Sequence, residues 1–182
     1  MTISLLTTEA LKERISNSEL GREWIDDSLL LEDKWSTSLL GYSDDDIKIW
    51  RRQTISFEGY KLPWLKFLAK LTIKAAAREL HTLQNLVAHY MILFQLDKFL
   101  ATQGYAQPKD LTGSLLLQFL AESSTSRRRS LLVYATRLWA EEGWLCTDFV
   151  PPVYRRPTPK VEVIPEEVLY QFISISIYFL HR

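Results

Sequence analysis

The sequence predicts an all-α protein, a compact bundle of four to five helices behind an irregular, acidic N-terminal extension. Three observations carry this. Between residues 63 and 145 the chain falls into apolar-periodic segments of about 18, 20, 10 and 16 residues, divided by short polar punctuation. Between Tyr60 and Cys146 no stretch alternates with a period of two, and nothing repeats. The first fifty residues are different in kind, with 11 acids against 5 bases, whereas the rest carries 17 bases and 11 acids. A formal net charge of zero therefore averages a prefix at −6 and a remainder at +6. Such asymmetry points to a polyanion or membrane partner, to internal masking of one half by the other, or to two solvated faces.

Within the prefix, taken as residues 1–60, "TTEALKER" reads as a short helix capped by Thr7 or Thr8. "WIDDSLLLEDKW" and "GYSDDDIKIWRRQTISF" mix aromatics with acids without a clean period, so one or two short helices are expected there. The helical domain spans residues 61–146. Pro63 suits a first helical position, where a missing N–H costs nothing. "PWLKFLAKLTIKAAAREL" then runs without a breaker, with Trp64, Leu65, Leu68, Leu71 and Ala75 apolar. Thr82 can cap the next helix, expected over 83–102 and ended by Gly104. That helix is apolar around most of its circumference, which places it in the middle of a bundle; its more polar stripe is Gln84, Ala88, Met91, Gln95 and Lys98.

"YAQPKDLT" reads as a loop, and Thr112 or Asp110 caps "GSLLLQFLAES". Residues 124–126 cap "RRRSLLVYATRLWAEE", which Gly143 closes. In this last helix Leu131, Leu132, Ala135, Leu138 and Trp139 share one face, and Arg127, Ser130, Tyr134 and Arg137 the opposite edge. Residues 147–164 form a linker of prolines and bases, and residues 165–182 open a fresh helix at "IPEEVL".

Catalytic constellations are missing. There is no Gly-rich phosphate loop, H-E-x-x-H, G-x-S-x-G or C-x-x-C. His81, His89 and His181 do not share a ligand spacing, so no metal or other cofactor is expected, nor a small-molecule substrate. Cys146 is the single cysteine, which excludes a disulfide framework. "MTISLLTTEALKER" lacks the basic start and sustained apolar run of a signal peptide, and "FISISIYFL" is far shorter than the roughly 20 residues that span a bilayer. The expectation is a chain of the reducing cytoplasm with no membrane contact.

The positive signal is basic. Lys66, Lys70, Lys74 and Arg78 recur at i, i+4 on one helix with no acid among them, a spacing that costs a few tenths of a kcal/mol per like-charged pair. A solvated ridge, pairing with the acidic prefix and anion binding are the three readings of that stripe. Arg127, Arg128 and Arg129 open the fourth helix, beside Ser123, Ser124, Thr125 and Ser126. Three cations work against the positive dipole end unless a polyanion is near, and short hydroxyls suit phosphate oxygens. Arg155, Arg156 and Lys160 lie among Pro151, Pro152, Pro157 and Pro159, an extended strap able to follow a line of phosphates.

The order of these parts resembles the N-terminal portion of a tyrosine recombinase, the phage integrase family. The likeness rests on "LPWLKFLAKL", "LHTLQNLVAHYMILFQLDKFLATQGYAQPKDLTGSLLLQFLA", "SRRRSLLVYATRLWAEEGWL", the Pro/basic strap and "VIPEEVLYQF", over residues 35–172. Trp35 with Leu40 and Gly41, and Phe57 with Trp64 and Leu65, match the "W…LG" and "F…WL" elements of integrases and transposases with a long prefix.

The resemblance implies that the bundle is a SAM-like core-binding domain gripping double-stranded DNA with its second and fourth helices. The residues it assigns to DNA are Thr82, Gln84 and Asn85 on the second, and Ser126, Arg127, Arg128 and Arg129 on the fourth. Arg137 lies on the same edge as Arg127. Arg155, Arg156 and Lys160 on the strap, and Lys70, Lys74 and Arg78 on the ridge, complete the expected phosphate contacts. Gln84 and Asn85 are amides suited to adenine edges.

The family's catalytic tyrosine, arginines, lysine and histidine belong to a C-terminal domain whose motifs are not present here. The expectation is no enzymatic activity from this polypeptide, a nucleoid-associated location, and further partnership by self-association or with a full-length recombinase. The competing reading is a helical protein-interaction or regulatory module that binds no DNA.

Overall fold

A computed structural model describes residues 7–24, 27–43, 45, 54–79, 81–122 and 126–151, with 126–128 by backbone alone. The chain divides into two compact units, Met1–Pro152 and Val153–Arg182, and the described residues belong to the first. Seven α-helices and one small sheet occur among them: α1 Thr8–Asn17, α2 Glu19–Trp24, α3 Ser28–Leu31, α4 Pro63–Arg78, α5 Leu83–Thr102, α6 Gly113–Glu122 and α7 Ser126–Glu141. The protein is an all-α bundle with a short-element N-terminal region.

The four long helices begin and stop where local chemistry directs. Pro63 occupies the first turn of α4. The Thr82 hydroxyl accepts from the Asn85 amide at 3.3 Å and the Thr112 hydroxyl from the Leu115 amide at 3.3 Å, each satisfying one orphan donor. Gly104 and Gly143 take φ of 80° and 70° just past α5 and α7, the left-handed turn that releases a helix. On α7 the expected apolar face, Leu131, Leu132, Ala135, Leu138 and Trp139, is buried.

The prefix holds more structure than its sequence pattern suggests. Thr7 caps α1 by accepting from Ala10, and Asp27 caps α3 by accepting from Leu29 at 2.8 Å. Strands β1 Lys34–Ser36 and β2 Thr54–Ser56 pair antiparallel, with Trp35 opposite Ile55. Those two side chains and Phe57 are wholly buried, and Leu11, Ile15, Trp24 and Leu30 join the same core. The Trp35 indole donates to the carbonyls of Leu29 and Glu32, so this tryptophan ties α3 to the ribbon. Burying a side chain of that size stabilises by about 2–3 kcal/mol, far beyond what a three-residue strand supplies by pairing.

This changes which helix lies at the centre. The near-uniform apolar surface of α5 suggests the middle position, yet nine of its twenty residues are buried against ten of sixteen on α4. The prefix covers the face of α4 that α5 and α7 leave open. Asp97 on α5, wholly buried, accepts the backbone N–H groups of Lys61 and Leu62 at 2.7 and 2.9 Å. It thereby caps α4 from a neighbouring helix, and fixes α4 and α5 as an antiparallel pair.

Candidate nucleic-acid interface

The basic stripe of α4 meets the acids of the prefix, which occupies the cations that were expected at a DNA surface. Lys66 is ion-paired with Asp33; Lys70 reaches Asp33 at 3.0 Å and the Leu30 carbonyl at 2.9 Å. Lys74 is ion-paired with Asp27, and Arg78 with Glu23 at 2.7 Å. The carboxylates at 23, 27 and 33 therefore meet the cations in reverse order, the prefix running against α4. Lys70 is only 4% exposed, its ammonium also 5.6 Å from the centre of the Phe57 ring, and Lys74 lies over Trp24 at 5.5 Å.

The hydrogen bond from Lys66, with further help from Lys70, holds the Asp33 carboxyl below its ordinary range. Burial pulls the Lys74 ammonium down. Lys70 is buried beneath the prefix and Lys74 is mostly covered by it. Arg78 and Glu23 keep more than half their side-chain surface in water, so that pair adds little stability. Of the readings the stripe allowed, pairing with the prefix is the arrangement present.

The other expected residues gather by a different route. Glu79, at the C-terminal end of α4, faces the Tyr134 phenol of α7, and further along the Trp139 indole donates to the Thr72 hydroxyl of α4 at 2.8 Å. These two contacts make α7 antiparallel to α4. Since α5 is antiparallel to α4 as well, α5 and α7 run in the same direction. Their rings meet near the start of each: Tyr134 lies 4.7 Å from His89 and 5.2 Å from His81 between ring centres. His89 stands about 9 Å along α5 from Leu83, and Tyr134 about 12 Å along α7 from Ser126, at 1.5 Å per residue. The two helices thus open at one end of the bundle, within about a turn of each other.

Thr82, Gln84 and Asn85 are exposed at that end. The backbone of Ser126, Arg127 and Arg128 begins α7 beside them, and Arg129 is half-buried. Arg137 is exposed and pairs with Glu141 at 3.3 Å, one turn on. Arg155, Arg156 and Lys160 on the strap, and the capping hydroxyls 123–125, lie outside the described residues. Helix starts carry unpaired N–H groups and a partial positive charge, so two of them at one end favour an anion even without side chains.

Beneath this end sits a group that sequence reading passed over. His81, His89 and Tyr134 pack ring on ring, the Nδ1 atoms of both histidines are buried without a hydrogen-bond partner, and the buried Tyr134 hydroxyl faces the Glu79 carboxylate. Burial, with His81 beside it, holds the His89 imidazole down at about 4, so it is neutral at physiological pH. Burial also raises the Tyr134 phenol, reinforced by the Glu79 carboxylate. A separation of 45 positions between His89 and Tyr134 leaves no local signal for such a cluster. Among the described residues no group of histidine, cysteine and carboxylate side chains is arranged to hold a metal, and no helix is long and apolar enough to cross a membrane.

The chain leaving α7 turns back along it. Past Gly143, Trp144 and Leu145 are buried. Thr147, Phe149 and Pro151 then line one groove together with Val133, Thr136, Arg137 and Ala140 of α7. The outgoing segment therefore returns from the C-terminal end of α7 toward its middle. Comparison with known proteins gives no match to any family model, curated protein or solved structure.

Proposed function

We propose that this chain binds duplex DNA through the end of the bundle where α5 and α7 begin. The observation that carries the reading is the shared direction of those two helices. It brings the exposed amides of Gln84 and Asn85, the Thr82 cap and the start of the arginine-bearing helix to a single surface. Phosphates would be held by Arg127, Arg128 and Arg129 together with the N–H groups of the α7 start, while Gln84 and Asn85 offer the donor–acceptor pair that matches adenine in the major groove. Arg155, Arg156 and Lys160 would add phosphate contacts from the strap. This is the task that a resemblance to the core-binding domain of tyrosine recombinases implies, and the shared direction of the two helices supports it.

Fluorescence anisotropy with a labelled duplex tests it. Each neutralised phosphate contributes about −0.9 to the slope of log affinity against log salt, so a grip by six or more cations loses at least about a thousandfold between 50 and 200 mM. Replacing Arg127 and Arg128 by alanine should flatten that slope by about 2 while leaving the melting temperature in place. An affinity indifferent to salt overturns the reading.

One observation favours the competing reading of a protein-interaction module. Trp24, Leu29, Leu39, Leu40 and Ala77 line a groove between prefix and α4 together with the mutually paired Glu23, Arg78, Asp27 and Lys74, and Leu39 is 66% exposed. A partner seated there would bind with little response to salt, which separates the two readings in one titration.

A further inference from the structure

We propose that the ring cluster of His81, His89 and Tyr134 is an acid-operated catch: a proton taken up there lets the starts of α5 and α7 part, and releases the duplex while the rest of the bundle stays folded. The release rests on the reading of that end as a DNA surface; the catch itself does not.

The cluster ties three elements together at the end in question. His81 belongs to the turn between α4 and α5, His89 to the second turn of α5 and Tyr134 to α7. The two imidazoles stack 5.4 Å apart at 23°, and the phenol closes the triangle at 5.2 and 4.7 Å. The Tyr42 hydroxyl holds the turn from the prefix side, donating to the His81 carbonyl at 2.6 Å. His89 is 2% exposed. A neutral imidazole has one N–H to give and one lone pair to offer, yet neither histidine finds a partner for its Nδ1 among the described residues. Ring packing, rather than hydrogen bonding through those atoms, joins α5 to α7 at this point.

The charges around the cluster leave a proton at its centre unanswered. Just past the end of α4, Glu79 stands 3.4 Å from the Nε2 of His81 and faces the Tyr134 phenol. On α7, Arg129 lies five positions before Tyr134, and Arg137 and Glu141 beyond it pair with each other at 3.3 Å. From Leu83 to Leu96, α5 brings no charged side chain besides His89 itself. Burial, with the like charge of His81, holds His89 at about 4 against an ordinary 6.5. An opened arrangement, in which water reaches the ring, takes up the proton more readily. Closure is therefore fully favoured above about 6.5 and is lost as pH falls toward 4. At pH 5 the opened form gains about thirtyfold over its population at pH 7.5.

Opening stays local because the other anchors hold in that window. Asp33 remains charged and paired with its lysines. Burial raises the Asp97 carboxyl, so a proton there favours the folded cap of α4. The bond from the Trp139 indole to Thr72, further along α7, does not titrate. His89 is a positioning residue in this arrangement and touches no DNA.

The test follows duplex affinity by anisotropy at pH 7.5 and pH 5, at constant salt, with the full chain. Affinity should fall at least about threefold and at most about thirtyfold on acidification. That is opposite in sign to the gain expected when a histidine near phosphates merely becomes charged. His89→Phe keeps a ring without a proton site, and His89→Gln keeps a neutral polar side chain. Both should bind as the parent does at pH 7.5 and hold that affinity at pH 5. Amide hydrogen exchange of the free chain, corrected for its intrinsic pH dependence, is the second readout. Amides of residues 83–89 should open more at pH 5 in the parent and in neither variant, with those of Lys61 and Leu62 unchanged.

An affinity that holds or rises toward pH 5, or an acid loss that persists in both variants, overturns the release. Exchange at residues 83–89 that ignores pH overturns the catch. A parent chain that binds no duplex at either pH overturns the DNA reading and the release with it, and the exchange pattern then decides the catch alone.

Discussion

Asp33 is where the cost of separating the prefix from α4 is best measured. It pairs with two lysines at once, Lys66 and Lys70, and its side chain is 37% exposed while that of Lys70 is 5%. Asp33→Asn removes the negative charge and leaves the buried Lys70 ammonium with neutral acceptors and the Phe57 ring but no counter-charge. Breaking a fully buried ion pair costs about 3–5 kcal/mol. Because Asp33 is more than a third exposed, solvent screening reduces this to about 2 kcal/mol, or a fall in melting temperature of about 4–8 °C for a domain of this size.

The pH dependence has a defined sign. Its lysine partners depress the Asp33 carboxyl in the folded state, so the stabilisation is fully present above its ordinary value of 3.8 and is lost as pH falls through the lower folded value. Urea unfolding followed by circular dichroism at pH 7, 5 and 3 should show wild type and Asp33→Asn differing by about 2 kcal/mol at the first two and converging toward the last. Lys70→Met replaces the buried cation with an apolar side chain of similar length. It strips the Leu30 carbonyl and one Asp33 oxygen of their donor, so it should destabilise by about 1–3 kcal/mol and leave the salt slope of duplex binding untouched. A difference below about 0.5 kcal/mol at pH 7 for Asp33→Asn, or a salt slope flattened by Lys70→Met, would refute the assignment of this ridge to the fold.

His89 supplies a second and separate acid window. Its folded value of about 4 lies below the ordinary 6.5, so the unfolded chain takes up the proton first and stability drains between those two values as pH falls; the full span is worth about 3 kcal/mol. In His89→Phe that loss should be missing, which urea midpoints between pH 7 and pH 4 would reveal. Asp97→Ala leaves the buried amides of Lys61 and Leu62 without an acceptor. The expected cost is about 2–3 kcal/mol after relief of the carboxylate's own burial, with faster hydrogen exchange of those two amides as the local signature.

What the sequence made legible, and what it concealed, divides along the length of the elements. Helices α4 to α7 run from ten to twenty residues, long enough for periodicity to accumulate, and a capping threonine or a left-handed glycine marks several of their ends. The prefix builds α2 and α3 from six and four residues and pairs strands of three. No period can establish itself over such lengths, and only the tertiary burial of Trp24, Trp35 and Phe57 holds them. For the site, the exposed amides of α5 were legible as polar positions at a helix start. The fate of the lysine stripe was not, because an i, i+4 row of cations suits phosphates and remote carboxylates equally well. Asp27 and Asp33 decide it from some forty residues away. The ring cluster of His81, His89 and Tyr134 was invisible for the same reason.

The Trp144 indole donates to the Ser18 hydroxyl at 2.6 Å across 126 residues of sequence, a bond that orders events in time. A chain made from its N-terminus has its first helices in hand long before their closing partner exists, and contacts of such long separation form slowly in any case. The α4–α5 hairpin is the local nucleus available early, and the acids and tryptophans of the prefix find their partners on α4 and near Phe57; the Ser18 hydroxyl alone waits until residue 144 has been added. Cotranslational folding of this unit therefore ends at the place where its synthesis began.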